Sequence, residues 1–457
     1  MKNYWASLPA SNSIIVEPET LALSSDGRAL MVREALESSG VIQALEGVLA
    51  DPRDPKRVQH DLVGQMRRLI IQRAMGWNDL SDSQWLAADP LIQLASSGRR
   101  GLTPLTEAVP SQATLSRLLN ILGSDANLGP VHTGLYAMAV HRLRSLPARQ
   151  RRGVPTLDID GLPIPVSGEQ AGSVYNGHTG ARIYSPSIAS LAEQGDLVGA
   201  LLREGNAGPA ENADTWIPHL TTQLAGALQR RVRVRFDAGF TGDAILSRLE
   251  QRGIEYPGRL RSNSRLQQWA EPYLKRPPGR RPAEPRKWCH DLQYQAASWS
   301  HARRVVLVVQ ERPDDRFLHH FWIVINLDRR HASTEKVLAI YRRRGKAEAH
   351  MGELKSVLRV ALSSTDRGAS TVEQVMARNE VNLLLGLYAY QALHALRCLL
   401  QDTTRDEWGL SRLREQVLKV AAATSVHARR ISIRLGVAGD RWCATLQAAI
   451  QRRWQSA

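Results

Sequence analysis

Three short segments carry carboxylates whose type and spacing suit metal chemistry. TLDIDG (156–161) is a brief apolar run that ends in Asp158 and Asp160. The two acids are two residues apart, so both project from the same face of a strand. Either fits a metal ligand, or a cap of the turn that follows. RVRVRFDAGF (231–240) alternates basic and apolar residues, as a half-buried strand does, and places Asp237 at its end. A single acid at a strand end is by itself a weak signal. The third segment, YRRRGKAEAHMGELK (341–355), reads as helical. Arg344, Glu348 and Lys355 follow Tyr341 at offsets of 3, 7 and 14. At 3.6 residues per turn those offsets fall within about 60° of arc. One helix face then presents an aromatic ring, two cations and one carboxylate, although a solvated charged face is the plainer reading. Glu353 lies about 120° off that face and is set aside as a ligand. Mg²⁺ takes hard oxygen ligands, commonly a few carboxylates. Paired Mg²⁺ ions can activate an attacking oxygen and stabilise a leaving one when a phosphodiester is moved. Isolated acids at the ends of neighbouring strands in a basic chain are what such chemistry needs.

The chain is basic: 60 Lys and Arg stand against 44 Asp and Glu over 457 residues, a net charge of +16. Arg dominates, and its planar fork donates two parallel hydrogen bonds to a phosphate. The partner is therefore expected to be anionic, a nucleic acid or a membrane surface. The most apolar stretch, VNLLLGLYAYQALHALRCLL (381–400), carries Asn382, Gln391, His394 and Arg397. That polar load is costly in a bilayer, so a buried helix is expected, with nucleic acid and no membrane as partner. The cysteines Cys289, Cys398 and Cys443 are far apart and form no CxxC pair. Neither a structural zinc nor a disulfide framework is indicated, which fits a reducing cytoplasm. The first thirty residues lack a signal-peptide pattern.

These side chains need elements to hold them. Residues 28–120 read as helical, with breaks at DPRDP (51–55), GWNDLSD (76–82) and ADP (88–90). SQATLSRLLNIL (111–122) has Ser111 as its N-cap, and lies in a DNA groove or simply on the surface. The basic stretch RLRSLPARQRR (142–152) marks a change of texture. Strands follow at 156–161, 181–191 and 196–204, then a helix (214–230), the strand at 231–240, a helix (241–252) and a strand (254–260). That order makes a mixed α/β core. Residues 261–335 interrupt it, with an exposed Pro/Arg loop (274–288) and two paired strands, 303–312 and 319–327. A helical region is expected from Tyr341 nearly to Leu400, then a mainly helical tail.

The spacing Y-(2)-R-(3)-E-(6)-K is similar to the signature of bacterial insertion-sequence DDE transposases. DPRDPKRVQHDL (51–62), GWNDLSDSQWLAADP (76–90) and SQATLSRL (111–118) resemble the N-terminal region of one subgroup, the DDE group 1 transposases. LDIDGLPIPVSGEQAGSVYNGH (157–178) and FDAGF (236–240) resemble its two acid-bearing strands. The resemblance spans roughly residues 50 to 400. It implies an RNase H-like catalytic core (151–260 and 338–400) with a β-rich insertion (261–337), preceded by a helical N-terminal DNA-binding domain (1–150) and followed by a helical C-terminal region (401–457). It matches the catalytic, metal-holding acids to Asp160 rather than Asp158, to Asp237 and to Glu348. Tyr341, Arg344 and Lys355 would grip the DNA end. Two Mg²⁺ ions are implied as cofactors, with Mn²⁺ able to substitute. The implied partners are double-stranded DNA, as terminal repeats and target, and a second copy in a homodimer on paired ends. The bacterial cytoplasm, on the nucleoid, is the implied location. Two positions depart from the subgroup: Leu162 replaces its usual Thr or Ser, and Ala238 its usual Ser. Two other functions share these features, a DNA-binding copy that has lost catalysis and a metal-dependent nuclease without strand transfer.

Overall fold

The computed structural model describes residues 22–99, 101–177, 179–208, 210–276, 278–279, 283–360, 362, 371–437 and 440–455. The side chains of residues 345–348 and 453–455 lie outside that description. After β1 (Ala22–Ser24) the chain is helical: α1 (Ala29–Glu37), α2 (Val41–Glu46), α3 (Leu62–Ala74), α4 (Asp82–Trp85), α5 (Pro90–Ser96), α6 (Thr103–Thr106), α7 (Gln112–Leu122) and α8 (Asp125–Ser145). A strand-rich stretch follows: β2 (Thr156–Gly161), β3 (Ile164–Pro165), β4 (Val174–Asn176), β5 (Ala181–Tyr184), β6 (Ser187–Leu191) and β7 (Leu197–Leu201). Then come α9 (Ala213–Leu228), β8 (Arg233–Phe236), α10 (Asp243–Gln251), β9 (Pro257–Arg259), α11 (Ser264–Ala270), β10 (Arg286–Tyr294), β11 (Arg303–Glu311) and β12 (Leu318–Ile325). The rest is α12 (Thr334–Arg342), α13 (Gly345–Ser356), α14 (Val372–Thr404), α15 (Leu410–Leu413), β13 (Ala422–His427), β14 (Arg430–Leu435) and α16 (Asp440–Gln455).

One sheet organises the molecule, in the order β10-β11-β12-β9-β8-β2-β6-β7. The centre is parallel, β2 to β8 and β8 to β9, and the flanking pairs are antiparallel. Alternation along β2 separates two environments. Leu157 and Ile159 point into an apolar layer with Val234 and Phe236, against Ile217, Leu220 and Leu224 of α9 and Ile245, Leu246 and Leu249 of α10. Asp158 and Asp160 point to the opposite face, where Arg344 and the Ile340 carbonyl reach them and their neighbour Arg235.

α14 is the axis of the second core. Thr371 caps it through a reciprocal bond with Gln374. Helices α1, α3, α7 and α8 pack around it. It is long and apolar enough to cross a membrane, but 83% of its most apolar window is buried inside the protein. One of its buried polar residues is satisfied from α3, where Arg73 donates to the Asn382 carbonyl and side chain at 2.6 and 2.7 Å. α7 starts at the expected cap, Ser111 accepting from Thr114 N–H at 3.2 Å. Its Leu115, Leu118, Leu119 and Leu122 are buried.

The structure refines the sequence reading at several points. The segment 181–191 is two strands, because Pro186 breaks it. β5 joins a small sheet with β3 and β4, and β6 joins the main one. The Pro/Arg loop ends earlier than expected, since β10 starts at Arg286 and pairs with β11 along its whole length. The strands of 261–337 extend the main sheet through β12 on β9. The one helix expected over 341–355 is divided between α12 and α13, with Gly345 just after the break. The tail is helical in α15 and α16, but it also contains a hairpin, β13 and β14, that pairs with β1. Its turn residues Ala428 and Arg429 have φ of 45° and 66°, a turn usually marked by Asn-Gly.

Candidate active site

Ile159 of β2 is directly opposite Phe236 of β8 in the parallel register. Asp160 and Asp237 are the next residue on each strand, so they stand side by side where the two strands end, about 4.8 Å apart in strand spacing. Asp160 is half-buried, and its Oδ1 accepts the Gly161 N–H at 3.0 Å. Its Oδ2 lies 2.9 Å from Arg344 Nη2. Asp237 is also half-buried and caps the turn 238–240 by accepting the Gly239 N–H at 2.9 Å. Both acids are held by backbone N–H groups at the strand ends.

One level below sits a second pair of side chains. Asp158 and Arg235 are cross-strand partners, each two residues before a terminal acid. Arg235 donates Nε and Nη2 to the two Asp158 oxygens at 2.6 and 2.7 Å, with both side chains 1% exposed. Burial raises the Asp158 carboxyl pKa, and the Arg235 guanidinium opposes it. Arg235 also donates to the carbonyl of Ile340, the residue before Tyr341. A buried bidentate pair therefore ties β2, β8 and the end of α12 together. Asp158 is fully engaged in it, whereas Asp160 reaches the surface.

The remaining candidates divide between two helices. Tyr341 ends its side chain among Val306, Val308, Ile323 and Val337, its ring 6.3 Å from that of Phe321. Burial pushes the Tyr341 phenol pKa up, so it stays protonated at neutral pH. Arg344 is the N-cap of α13 and is pointed at Asp160. Lys355 lies in the last turn of α13 and is exposed. The one-face arithmetic across 341–355 fails because α12 and α13 are separate helices. Tyr341 and Arg344 nevertheless both lie beside the strand-end acids. Glu348 is in α13, and its side chain lies outside the described residues.

Glu353 has a structural task. Its carboxylate takes Arg397 Nη1 and the Leu410 N–H at 2.9 Å, with His350 Nδ1 3.7 Å away. Burial alone would raise this carboxyl, but His350, Arg397 and the Leu410 N–H reverse the effect and bring it down to about 2. A depressed carboxyl stabilises the fold above its unfolded pKa and loses that contribution as pH falls through the folded value. Glu353→Gln is therefore expected to lower the thermal midpoint at pH 7 and to flatten its decline between about pH 4.5 and pH 2. An identical acid limb in native and variant would refute this.

The basic stretch 142–152 is not all available to an anion. Arg142 is buried, bound by Asp196 and close to His394. Arg235 had no prominence in the sequence. The signal for it is an Arg two residues before one strand-end acid, facing an Asp two residues before the other.

Two adjacent carboxylates at strand ends offer the hard oxygens that a divalent cation takes. The guanidinium on Asp160 shows that this position attracts positive charge. Among the described residues no group of three or more His, Cys, Asp or Glu forms; Glu348 falls outside that comparison.

Among solved structures, the chain is similar to a piggyBac transposase in a cryo-EM synaptic complex with hairpin DNA. The identity is 10% and the TM-score 0.41, over 94% of this chain and 82% of that one. No curated protein matches it. The family described as transposase DDE domain group 1 matches residues 8–451, and the chain belongs to that family.

Proposed function

We propose that this protein is a transposase of the bacterial insertion-sequence type, bearing the Y-R-E-K signature. It binds the terminal repeats of its element, cuts the DNA ends and joins them to target DNA. The observation that carries the reading is the placement of Asp160 and Asp237 side by side at the ends of parallel strands, with Arg344 against Asp160. The inner strand order β7-β6-β2-β8-β9, third-second-first-fourth-fifth along the chain, supports an RNase H-like core. The helical region before residue 150 would recognise the repeats, and the strands of 261–337 would be the insertion of this group. The working form would be a homodimer on paired ends, in the bacterial cytoplasm.

In this reading Asp160, Asp237 and Glu348 would hold two Mg²⁺ ions, with Mn²⁺ able to replace them. Bound there, the metals supply Lewis-acid activation of the attacking oxygen and neutralise charge on the leaving one. The chain's own residues do the rest. Arg344 moves from Asp160 to a phosphate beside the scissile bond, where its fork donates two hydrogen bonds. Tyr341, protonated and braced by Phe321, packs on the DNA end and is no nucleophile. Lys355 adds a point charge to the backbone further along. Leu162 is 2% exposed and its N–H donates to Pro186 O at 2.8 Å, so the departure at this position makes a core residue and leaves the acids alone.

Cleavage of a DNA fragment carrying the flanking repeats, in Mg²⁺, tests the reading for the native protein beside Glu348→Gln. Cutting at the repeat ends by the native protein only, with joined products, is the expected result. Cutting without joined products would make it a nuclease. Binding without cutting by either protein would make it a DNA-binding copy that has lost catalysis.

A further inference from the structure

Because β2 and β8 run parallel, their acids share one end of the sheet and their leading segments share the other. The link 146–153 brings the chain into β2, and the turn 229–232 brings it into β8. These two segments are laced together. Arg230 donates to the carbonyls of Arg151 and Gly153, and Arg233 N–H donates to Pro155 O at 2.9 Å. Arg144, at the end of α8, reaches over to the Ala227 carbonyl. The result is a set of exposed guanidiniums on neighbouring backbone: Arg149, Arg151, Arg152, Arg230 and Arg231.

Little acid answers them. Glu255 is taken by Arg231 at 3.3 Å and by Arg233 at 2.7 Å. Glu193 accepts the Thr156 N–H at 3.0 Å. Among the described residues Arg149, Arg151 and Arg152 have no acidic partner. Like charges held within a Debye length of about 8 Å repel one another. Such a cluster costs stability until an anion neutralises it. Backbone bonds fix Arg230 in place, so part of the ordering that a phosphate would require is already done. Thr156, where β2 begins beyond the cluster, is four residues before Asp160, at about 3.3 Å each on the order of 13 Å.

We propose that this end of the sheet is a second binding face for duplex DNA phosphates, remote from the acids. It rests on the transposase reading and adds to it a contact that the cleavage chemistry does not need. The face takes phosphate without reading sequence, since guanidiniums on a loop and a turn present charge and no groove-sized element. Two sources share this chemistry: the element's own DNA inward of the repeat, and the target duplex.

The test is a triple variant, Arg149→Ala/Arg151→Ala/Arg152→Ala, with the triple Lys variant as control for charge. Binding is read by fluorescence anisotropy across a salt series. Each lost phosphate contact should reduce the slope of log K against log salt by about 0.9, so the Ala variant should lose about 2 to 3 units. The Lys variant should keep most of the native slope. If the loss appears on a long end fragment and vanishes when its inner arm is trimmed, the occupant is element DNA. If it appears on an unrelated duplex added to protein already carrying short ends, the occupant is target DNA. An unchanged slope in both arms overturns the proposal. Failure of the native protein to bind any duplex would instead overturn the transposase reading.

Discussion

Asp160→Asn is expected to slow cleavage at a terminal repeat by about three orders of magnitude or more, while the protein still binds that end. The size follows from the several kcal/mol of charge stabilisation that a metal site supplies, at 1.36 kcal/mol per tenfold. Asn keeps the shape and removes the charge. The Gly161 N–H still finds an oxygen to bond, so the strand end should hold its form. Arg344 loses one anionic partner, at 2.9 Å, so affinity for the end should be unchanged or higher. Asp237→Asn should behave alike, since it too is held by one backbone N–H, that of Gly239. Asp158→Asn should differ in kind. Its carboxylate bonds both Arg235 nitrogens in a buried pair, so the charge lost there is structural. The fold should weaken while the surviving folded molecules still cut. A folded Asp158→Asn protein that cuts nothing, beside an active Asp160→Asn protein, would move the ligand from Asp160 to Asp158.

The strands that carry the two acids were legible from apolar runs and alternation, whereas the choice of Asp160 over Asp158 rested on the family resemblance. The order of elements between residues 156 and 260 follows from the same alternation and from helices of ordinary length. Legibility failed where no local pattern marks the element. β10 carries polar residues along an edge strand, and its pairing with β11 is what makes it a strand. The β13–β14 turn puts Ala428 and Arg429 at positive φ with no Gly or Asn to mark it. Charge was the most misleading quantity. Arg67, Arg68, Arg73, Arg142, Arg235 and Arg397 are all buried. The net charge therefore overstates what can face a phosphate. Arg68 and Arg73 are low enough in pKa, about 10, for burial to dominate. Whether an Arg meets a carboxylate, a carbonyl or water depends on packing that no spacing rule contains.

Arg235→Met should destabilise the fold by about 3–5 kcal/mol, because it leaves Asp158 as an uncompensated buried charge. The measurement is the guanidinium midpoint at pH 7, and a loss under about 1 kcal/mol would contradict the buried pair. The informative variant is the double one, Arg235→Met/Asp158→Leu. Replacing both members of a buried ion pair with apolar side chains is often neutral or stabilising, so most of the lost stability should return. Activity should not return with it. Arg235 also bonds the Ile340 carbonyl, and that bond fixes where α12 ends and hence where Tyr341 and Arg344 begin. Misplacement by about 1 Å costs up to about 100-fold in a reaction that depends on positioning. A stable double variant that cuts on the order of 10- to 100-fold more slowly would separate the two tasks of Arg235. A stable double variant with native cleavage would leave Arg235 with the ion pair alone, and Tyr341 and Arg344 would have to be placed by the apolar packing of α12 against β11 and β12.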